Sequence, residues 1–317
     1  MNETRIIEKF FQPLSEGFKG ALNLKDDAAI LDEIKEKNFV ISVDNFIMGI
    51  HCPEWLDIKF AITRAILVAA SDLCAMAVEP YCVFISISIH KKIKEKAFNE
   101  LKKGINKALK LTKTKLGGGD ICVYNGPSAF CITVVGKGKK INILKRSGAK
   151  PKEILCVTGT IGDAKLGLDR LIRNKTIKKN KLTDKCINRF LVPEVRFDFA
   201  KKVAKYASSC IDISDGLMLD AAKLAKNSSC GLKVYSNKVP ISNAVKLEIK
   251  NKKYKLFDFI NAGDDYELAF SVKKQYFKNV TKIAKKYGIQ VTHIGNFIKE
   301  KEISIDNSFN FKGFSHL

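Results

Sequence analysis

Short apolar segments alternate with amphipathic segments along the chain, and this alternation limits the folds that the chain can adopt. Residues 39–43 and 82–89 are rich in β-branched side chains, which favour β-strands. Residues 92–111 instead place Ala97, Leu101 and Ile105 at helical spacing, as an amphipathic helix does. Because such strands and helices follow one another throughout, we predict an α/β or α+β fold.

A change in composition divides this alternation into two halves. Residues 137–153 are rich in Lys and Gly and contain Pro151, and segments of this kind separate folded units. A chain of 317 residues is also long enough to build two domains, each with its own core. We therefore predict an N-terminal domain of residues 1–140 and a C-terminal α/β domain of residues 141–317.

The chain is strongly basic, with a formal charge of +23. Of its 56 basic residues, 49 are Lys and only seven are Arg, whereas nucleic-acid surfaces usually use Arg for bidentate contacts. The Lys residues are spread along helix faces, which favours a solvated surface that attracts anionic substrates. A lysine-rich nucleic-acid-binding protein without enzyme activity stays open as an alternative.

The sequence carries no sign of export or membrane insertion. No apolar run approaches the ~20 residues that cross a bilayer, and residues 1–11 lack the apolar core of a signal peptide. The nine cysteines are odd in number and form no Cys-x-x-Cys pair, so buried, reduced thiols are favoured over disulfides or zinc ligands. We expect a cytoplasmic protein.

Aspartates stand where apolar segments end or are interrupted, although the chain is basic. They are Asp26, Asp27, Asp44, Asp72, Asp120, Asp212 and Asp215. If they converge, each pair of carboxylates at ~4 Å repels by roughly 4 kcal/mol at an effective dielectric constant near 20. Divalent cations remove that cost, and Asp-rich sites that keep Mg2+ partly hydrated usually hold it for a phosphate substrate. The pattern therefore predicts a metal site.

Two motifs around these aspartates have both a structural and a functional interpretation. Gly117-Gly-Gly-Asp120 is either a tight turn, or a turn whose N–H groups hold phosphate while the Asp holds Mg2+. In Asp212-Ile-Ser-Asp-Gly216, Asp212 and Ser214 are expected at the C-terminal end of a strand, where α/β sheets bind ligands. Asp215 is then either a helix N-cap or a metal ligand.

Other residues also leave more than one role open. Asp72 lies within an apolar helical segment, so it needs a cation, a salt bridge or strong hydrogen-bond donors. The Gly159-Thr-Ile-Gly162 segment lacks the spacing of a nucleotide-binding loop, and we interpret it as a tight turn. His51 is either a surface histidine or, because Asp44 is close in the sequence, a substrate contact. Residues 264–267 form either an acidic turn or a substrate-facing loop.

Taken in order, these segments resemble the thiamine-monophosphate kinase family, which belongs to the aminoimidazole-ribonucleotide-synthetase-like superfamily. The resemblance covers nearly the whole chain, and it rests on the ordered set of motifs. The matching segments are Asp26-Asp27, Ser42-Val-Asp44, Ser71-Asp-Leu-Cys-Ala-Met76, Gly118-Gly-Asp120, Arg146-Ser-Gly-Ala-Lys-Pro151, Val157-Thr-Gly159, Asp212-Ile-Ser-Asp-Gly216, Gly263-Asp-Asp-Tyr-Glu-Leu268 and Lys312-Gly-Phe314.

The resemblance implies an aminoimidazole-ribonucleotide-synthetase-like fold with two domains. The N-terminal domain would bind ATP and Mg2+ and would pair its sheet with that of a second copy, giving a homodimer with a shared barrel. The activity would be the ATP-dependent phosphorylation of thiamine monophosphate to thiamine diphosphate, the final step of thiamine diphosphate biosynthesis. Phosphoryl transfer requires positioning and charge neutralisation rather than a covalent nucleophile, so the family resemblance implies direct in-line transfer assisted by several Mg2+ ions.

The family pattern also implies a role for each matching residue. The metal ligands would be Asp27, Ser42, Val43 through its backbone carbonyl, Asp44, Asp72, Asp120, Asp212 and Asp215. Of these, Asp72, Asp120 and Asp212 would be catalytic. The ATP phosphates would meet Gly119, Asp120, Arg146 and Ser214, and thiamine monophosphate would meet His51, Asp264 and the aromatic ring of Phe311.

Several positions depart from the family pattern, and changes gather around the acceptor. Val43 replaces a Thr and loses a hydroxyl ligand, Asp264 replaces a Glu and shortens a substrate contact, and Phe311 replaces a Trp. Another ATP-dependent activity of the superfamily, similar to aminoimidazole ribonucleotide synthetase, therefore stays as an alternative. A selenophosphate synthetase would carry a reactive Cys or Sec near the N-terminus, whereas the first cysteine here is Cys52.

Overall fold

The computed structural model describes residues 7–18, 38–174 and 184–306 of the chain. The chain divides into two compact units. The first contains the residues up to 73 together with 78–141, and the second contains residues 74–77 together with those from 142 onward. No helix in the described ranges is both long enough and apolar enough to cross a membrane.

The first unit combines a four-stranded sheet with long helices. Its elements in chain order are β1 (Asn38–Ile47), α1 (Ile58–Ala75), β2 (Glu79–His90), α2 (Glu95–Thr112), β3 (Lys115–Tyr124) and β4 (Ala129–Gly138). The strand order is β1-β4-β2-β3. Strand β4 is antiparallel to β1 and β2, whereas β3 is parallel to β2, so α2 makes the crossover that a parallel pair requires.

The two faces of this sheet differ in burial. Ile85 and Ile132 are register partners on one face, and both are at most 3% exposed. Because side chains alternate along a strand, the opposite face carries Phe39, Ile41 and Val43 of β1, which are between 40% and 60% exposed. We call this second surface the open face. An apolar, exposed sheet surface of this kind is typical of an interaction site.

The second unit is built on a six-stranded sheet with the order β10-β7-β9-β5-β8-β6. Its strands are β5 (Glu153–Thr158), β6 (Ala207–Asp212), β7 (Gly231–Val234), β8 (Leu268–Lys273), β9 (Val291–Ile298) and β10 (Ile303–Ile305). Its helices are α3 (Asp163–Asn174), α4 (Lys185–Leu191), α5 (Phe197–Val203), α6 (Leu217–Asn227), α7 (Asn243–Lys250), α8 (Leu256–Ile260) and α9 (Phe277–Lys286).

Helices cover both faces of this second sheet, and strand β5 shows the consequence for the sequence. Leu155 and Val157 belong to the core that contains α6, whereas Ile154 and Cys156 belong to the core that contains α5 and α9. A strand that is buried on both faces needs apolar residues at every position. This explains the continuous apolar run that begins at Ile154.

The loops that carry the predicted site residues of the second unit lie at one end of the strands of its sheet. Strands β5 and β6 both run antiparallel to β8, so their C-terminal ends lie at the edge where β8 begins. Residues 159–162 follow β5, residues 213–216 follow β6, and residues 262–267 precede β8. The carboxyl ends of strands are the edge at which α/β sheets usually bind ligands.

The structure corrects the turn predicted at Gly117–Asp120, because these residues lie within strand β3. Gly119 is required by the close approach of the neighbouring strand rather than by a turn. A Cβ atom on Gly119 would stand 2.0 Å from the carbonyl oxygen of Ile85 in β2, a distance that no side chain tolerates. Glycine within a strand often marks such a close backbone approach.

Other elements agree with the sequence or extend it. Helix α5 ends at Val203, and Ala207 already begins β6. Helix α4 was not predicted; its N-cap is Asp184, whose carboxylate accepts the N–H groups of Cys186 and Ile187. Seven of the nine cysteines are buried, and all nine are free. The short apolar run of residues 28–31, which favours a strand, lies outside the described residues.

Candidate functional site

A pair of carboxylates marks the first unit. Ser42 and Asp44 share one side of β1, and the Ser42 hydroxyl donates to Oδ2 of Asp72 on α1 at 2.6 Å. Burial, followed by the negative charge of Asp72, raises the pKa of the Asp44 carboxyl group to about 6. Two carboxylates and a hydroxyl are hard oxygen donors, and their mutual repulsion is relieved by a divalent cation. The group therefore fits Mg2+.

The described residues contain no cluster of three or more His, Cys, Asp or Glu side chains that could hold a metal ion. Asp44 and Asp72 alone would therefore supply only part of the ligand set predicted for a metal ion. Mg2+ commonly uses one or two carboxylates and completes its shell with water and substrate phosphates. Asp27, predicted as another ligand, lies outside the described residues.

The structure does not bring Asp120 to Asp44 within one chain. Asp44 lies on β1 and Asp120 on β3, and these strands stand on opposite sides of β4 and β2. At the usual spacing between strands, β1 and β3 are about 14 Å apart. Asp120 and Gly119 are both exposed. Val43 is 59% exposed on the open face, pointing away from Ser42 and Asp44.

His51 has a fixed orientation near the end of β1. Its Nδ1 accepts the backbone N–H of Ile47 at 2.9 Å, and its ring stacks on Phe46 with centroids 5.3 Å apart. With Nδ1 as an acceptor, the proton of a neutral imidazole lies on Nε2. His51 is half-buried, so it is positioned more firmly than a freely solvated histidine.

The second unit presents Asp212 at the end of β6. Ile211 and Ile213 are buried in the core beside it, and Asp212 is itself only 4% exposed. Asp215 follows in the loop, but the N-cap of α6 is Gly216, so the N-cap interpretation of Asp215 is wrong. Its carboxylate instead contacts Lys223, with Oδ2 and Nζ 2.5 Å apart.

The buried carboxylate of Asp220 holds the loop of residues 213–216 in its conformation. Asp220 in the first turn of α6 is 0% exposed, and its Oδ2 accepts the N–H groups of Ser214 and Asp215, both at 2.9 Å. Burial raises the pKa of Asp220, although Lys223 lowers it in part. Burial also lowers the pKa of Lys223, but hydrogen bonds to Asp215 and Asp220 outweigh this and raise it.

The loop that precedes β8, residues 262–267, is hydrogen-bonded to the loop of residues 213–216. Asp264 donates its N–H to the Ser214 carbonyl oxygen at 2.9 Å, and a Cβ on Gly263 would lie 2.2 Å from that same oxygen. Asp264 and Tyr266 have φ values of 66° and 50°, a left-handed conformation that costs energy in residues other than glycine. Such strain is frequent at functional sites, and Asp264 is half-buried beside Ser214.

The remaining acids of this loop are structural. Glu267 is 1% exposed and accepts hydrogen bonds from Arg189, from Arg196 and from Thr158. Asp265 accepts the N–H of Gly162 through both carboxylate oxygens, at 3.0 and 2.9 Å, which ties the predicted tight turn of residues 159–162 to the loop.

Sequence reasoning missed the partners of these acids. Lys223 follows Asp220 at a spacing of three residues, a helical pair that could have been recognised. The two arginines that form ion pairs with Glu267 are 71 and 78 residues away in the sequence, so no local sequence pattern indicates them. Of the predicted ATP contacts, Arg146 is exposed and Ser214 is half-buried. Phe311 lies outside the described residues.

Two family domains match the chain. The N-terminal domain of AIR synthase related proteins matches residues 25–138, and their C-terminal domain matches residues 176–306. The thiamine-monophosphate kinase of Buchnera aphidicola subsp. Schizaphis graminum (strain Sg) is 32% identical over 325 aligned positions, covering 99% of this chain and 98% of the relative.

Solved structures show the same fold. Thiamine-monophosphate kinase from Stenotrophomonas maltophilia K279a has a TM-score of 0.83 at 24% identity, covering 90% of this chain and 91% of that chain. AaThiL complexed with AMPPCP and TMP has a TM-score of 0.80 at 26% identity, covering 92% and 91%. With 32% identity to a curated relative across nearly the full length of both chains, this protein belongs to the thiamine-monophosphate kinase family of AIR synthase related proteins.

Proposed function

We propose that this protein is a thiamine-monophosphate kinase. It transfers the γ-phosphoryl group of ATP to the phosphate of thiamine monophosphate, giving thiamine diphosphate and ADP, the final step of thiamine diphosphate biosynthesis. The observation that carries this proposal is the full-length match to thiamine-monophosphate kinases. The similar AaThiL structure holds AMPPCP together with TMP, which supports ATP and thiamine monophosphate as the two substrates.

Donor and acceptor are both anionic, so the protein must bring two phosphate groups together against their repulsion. Bound Mg2+ supplies the neutralising charge on the phosphate oxygens. The residues that would hold several such ions are Asp27, Ser42, the Val43 carbonyl, Asp44, Asp72, Asp120, Asp212 and Asp215. Ser42 fixes the rotamer of Asp72 through its hydrogen bond. Transfer is direct and in line, because positioning and charge neutralisation suffice for this chemistry.

The other matching residues bind and orient the substrates. Gly119, Asp120, Arg146 and Ser214 would meet the ATP phosphates. The backbone N–H of Ser214 is already used by Asp220, which leaves the Ser214 hydroxyl group as the donor for a phosphate oxygen. His51, Asp264 and Phe311 would meet thiamine monophosphate. His51 is suited to donate from Nε2 to a phosphate oxygen, because its Nδ1 is held by the Ile47 N–H.

We further propose that the enzyme is a cytoplasmic homodimer, in which the first-unit sheets of two copies close a shared barrel. The exposed apolar side chains of Phe39, Ile41 and Val43 on the open face support this, because a second sheet would bury them. A barrel removes the edges of both sheets, and we propose that it pairs the β1 edge of one copy with the β3 edge of its partner. Each active site would then combine Asp44 of one copy with Asp120 of the partner subunit. Nine free thiols suit the reducing cytoplasm.

A kinase assay tests the proposed function. We expect the purified protein to form thiamine diphosphate from thiamine monophosphate only when ATP and Mg2+ are both present, with the product measured by chromatography. A panel of other phosphorylated acceptors should give little turnover. The absence of product at saturating substrates would reject the function, and preferential turnover of another acceptor would indicate a different activity within the superfamily.

The metal-free carboxylate pair predicts a pH-dependent effect on stability. The pKa of Asp44 is raised to about 6 in the folded protein, so the folded state favours protonated Asp44. That contribution is complete below the unfolded pKa and is lost as the pH rises through 6. With EDTA present, Asp44→Asn should therefore raise the melting temperature at pH 7.5, by roughly 2–4 °C for about 1 kcal/mol in a domain of this size.

At pH 4.5 the same substitution should raise the melting temperature less, because Asp44 is then protonated in the folded protein and ionised only in the unfolded chain. Glu54→Gln is the matched control, since it removes an exposed carboxylate from the same unit. A gain that is equal at both pH values, or that Glu54→Gln reproduces, would show that carboxylate repulsion at Asp44 is not its cause. Differential scanning calorimetry makes the comparison.

A further inference from the structure

Lys223 contacts Asp215, one of the carboxylates to which the proposed function assigns a metal ion. Its ammonium group donates to Oδ2 of Asp215 at 2.5 Å and to Oδ1 of Asp220 at 2.7 Å. Asp220 shapes the loop through the N–H groups of Ser214 and Asp215. A single ammonium group therefore bridges the carboxylate that shapes the loop and the carboxylate that would ligate Mg2+.

We propose that Lys223 is a positioning residue that occupies Asp215 in the metal-free protein and competes with a divalent cation for it. The proposal rests on the metal role of Asp215 in the function proposed above. An ion on the other oxygen of Asp215 would lie about 5 Å from the ammonium group, where two positive charges repel. Mg2+ also demands near-ideal octahedral geometry, so it does not share its inner shell with an ammonium group.

The exposure of the partners suits an exchange of cations. The side chains of Lys223 and Asp215 are 34% and 32% exposed, whereas Asp220 is 0% exposed. Lys carries its charge on a flexible four-carbon stem, so the ammonium group can move into solvent while Asp220 keeps the loop in place. The loop is thus formed before any metal binds.

Binding of Mn2+ to the nucleotide-free protein tests this competition. We expect Lys223→Met to bind Mn2+ at least about tenfold more tightly than the parent, equivalent to about 1.4 kcal/mol, when free Mn2+ is measured by electron paramagnetic resonance. All variants carry Asp72→Asn, so that the first unit adds no ion. Lys223→Arg should keep the weak binding of the parent, and adding Asp215→Asn to Lys223→Met should abolish the gain.

Lys226→Met is the matched control, because Lys226 is exposed on the same helix and forms no salt bridge with any residue in the described ranges. An equal gain in Lys226→Met would indicate a general change in surface charge and would overturn the proposal. Unchanged Mn2+ affinity in folded Lys223→Met would overturn it as well. Lys223→Gln repeats the test if the Met variant does not fold.

The two proposals can fail separately. The Mn2+ experiment uses neither ATP nor thiamine monophosphate, so its outcome does not depend on turnover. An active kinase whose Lys223→Met variant binds Mn2+ no better would reject only the role of Lys223. Tighter Mn2+ binding in a protein without kinase activity would reject the catalytic function and keep the competition at Asp215.

Discussion

Mixing the Asp44→Asn and Asp120→Asn variants is expected to restore about a quarter of the parent kinase activity, although each variant alone is nearly inactive. Each substitution removes a carboxylate that we propose as a metal ligand, and we expect a fall in kcat/KM of at least about a thousandfold, or about 4 kcal/mol. In a twofold dimer, half of the mixed population is heterodimer and one of its two sites has both carboxylates, which gives about a quarter. The measurement is thiamine diphosphate formation after subunit exchange.

The strand order is the reason for this expectation. Asp44 and Asp120 lie on strands separated by β4 and β2 within one chain, about 14 Å apart at the usual strand spacing. Ligands of a single Mg2+ lie only about 2.0–2.1 Å from the ion, so the two residues cannot share an ion unless Asp120 comes from the partner subunit.

A second mixture provides the control. Asp44 and Asp72 act from the same chain, as the hydrogen bond between Ser42 and Asp72 indicates. Mixing Asp44→Asn with Asp72→Asn therefore places a defect in every site of the heterodimer and should restore nothing. If the Asp44→Asn and Asp120→Asn mixture also stays inactive while subunits exchange, Asp120 serves its own chain and the shared site is rejected.

The strand order of the first sheet is a feature that the sequence does not predict. The alternation of β1 predicts that Ser42 and Asp44 share a side, and the structure agrees. The same alternation does not predict which strands lie between Asp44 and Asp120. The position of β4 between β1 and β2 depends on contacts between residues that are far apart in the chain. The sequence could thus identify the carboxylates but not which of them meet.

Glycine shows a different limit. Three consecutive glycines predict a turn, because glycine is the default residue in tight turns. In β3 the same residues serve the close approach of β2, where Gly119 faces the Ile85 carbonyl oxygen. Glycine permits both conformations, and only the neighbouring strand decides between them. The ion pairs of Glu267 could not be predicted from the sequence for a similar reason, because the two arginines are distant from Glu267 in the chain.

Glu267→Ala is expected to have the largest effect on stability. The Glu267 side chain is 1% exposed, and its partners Arg189 and Arg196 are 11% and 13% exposed. Truncation leaves two guanidinium groups largely buried without their main counter-charge, and breaking such a buried pair costs about 3–5 kcal/mol. We expect the melting temperature to fall by about 10 °C for a unit of this size, with a lower urea midpoint and an unchanged slope.

Glu194→Ala isolates the contribution of burial, because Glu194 contacts the same two arginines but its side chain is 55% exposed. Exposed ion pairs contribute about 0–1 kcal/mol, so this variant should unfold almost as the parent does. Burial raises the pKa of Glu267, but the charges of Arg189 and Arg196 outweigh it and hold the pKa below its usual value. The contribution of Glu267 to the free energy of unfolding is therefore present at neutral pH and lost as the pH falls through that lowered pKa. The melting temperatures of Glu267→Ala and Glu194→Ala should therefore converge in acid. Equal losses in both variants at neutral pH would show that the buried pair does not dominate the stability of this unit.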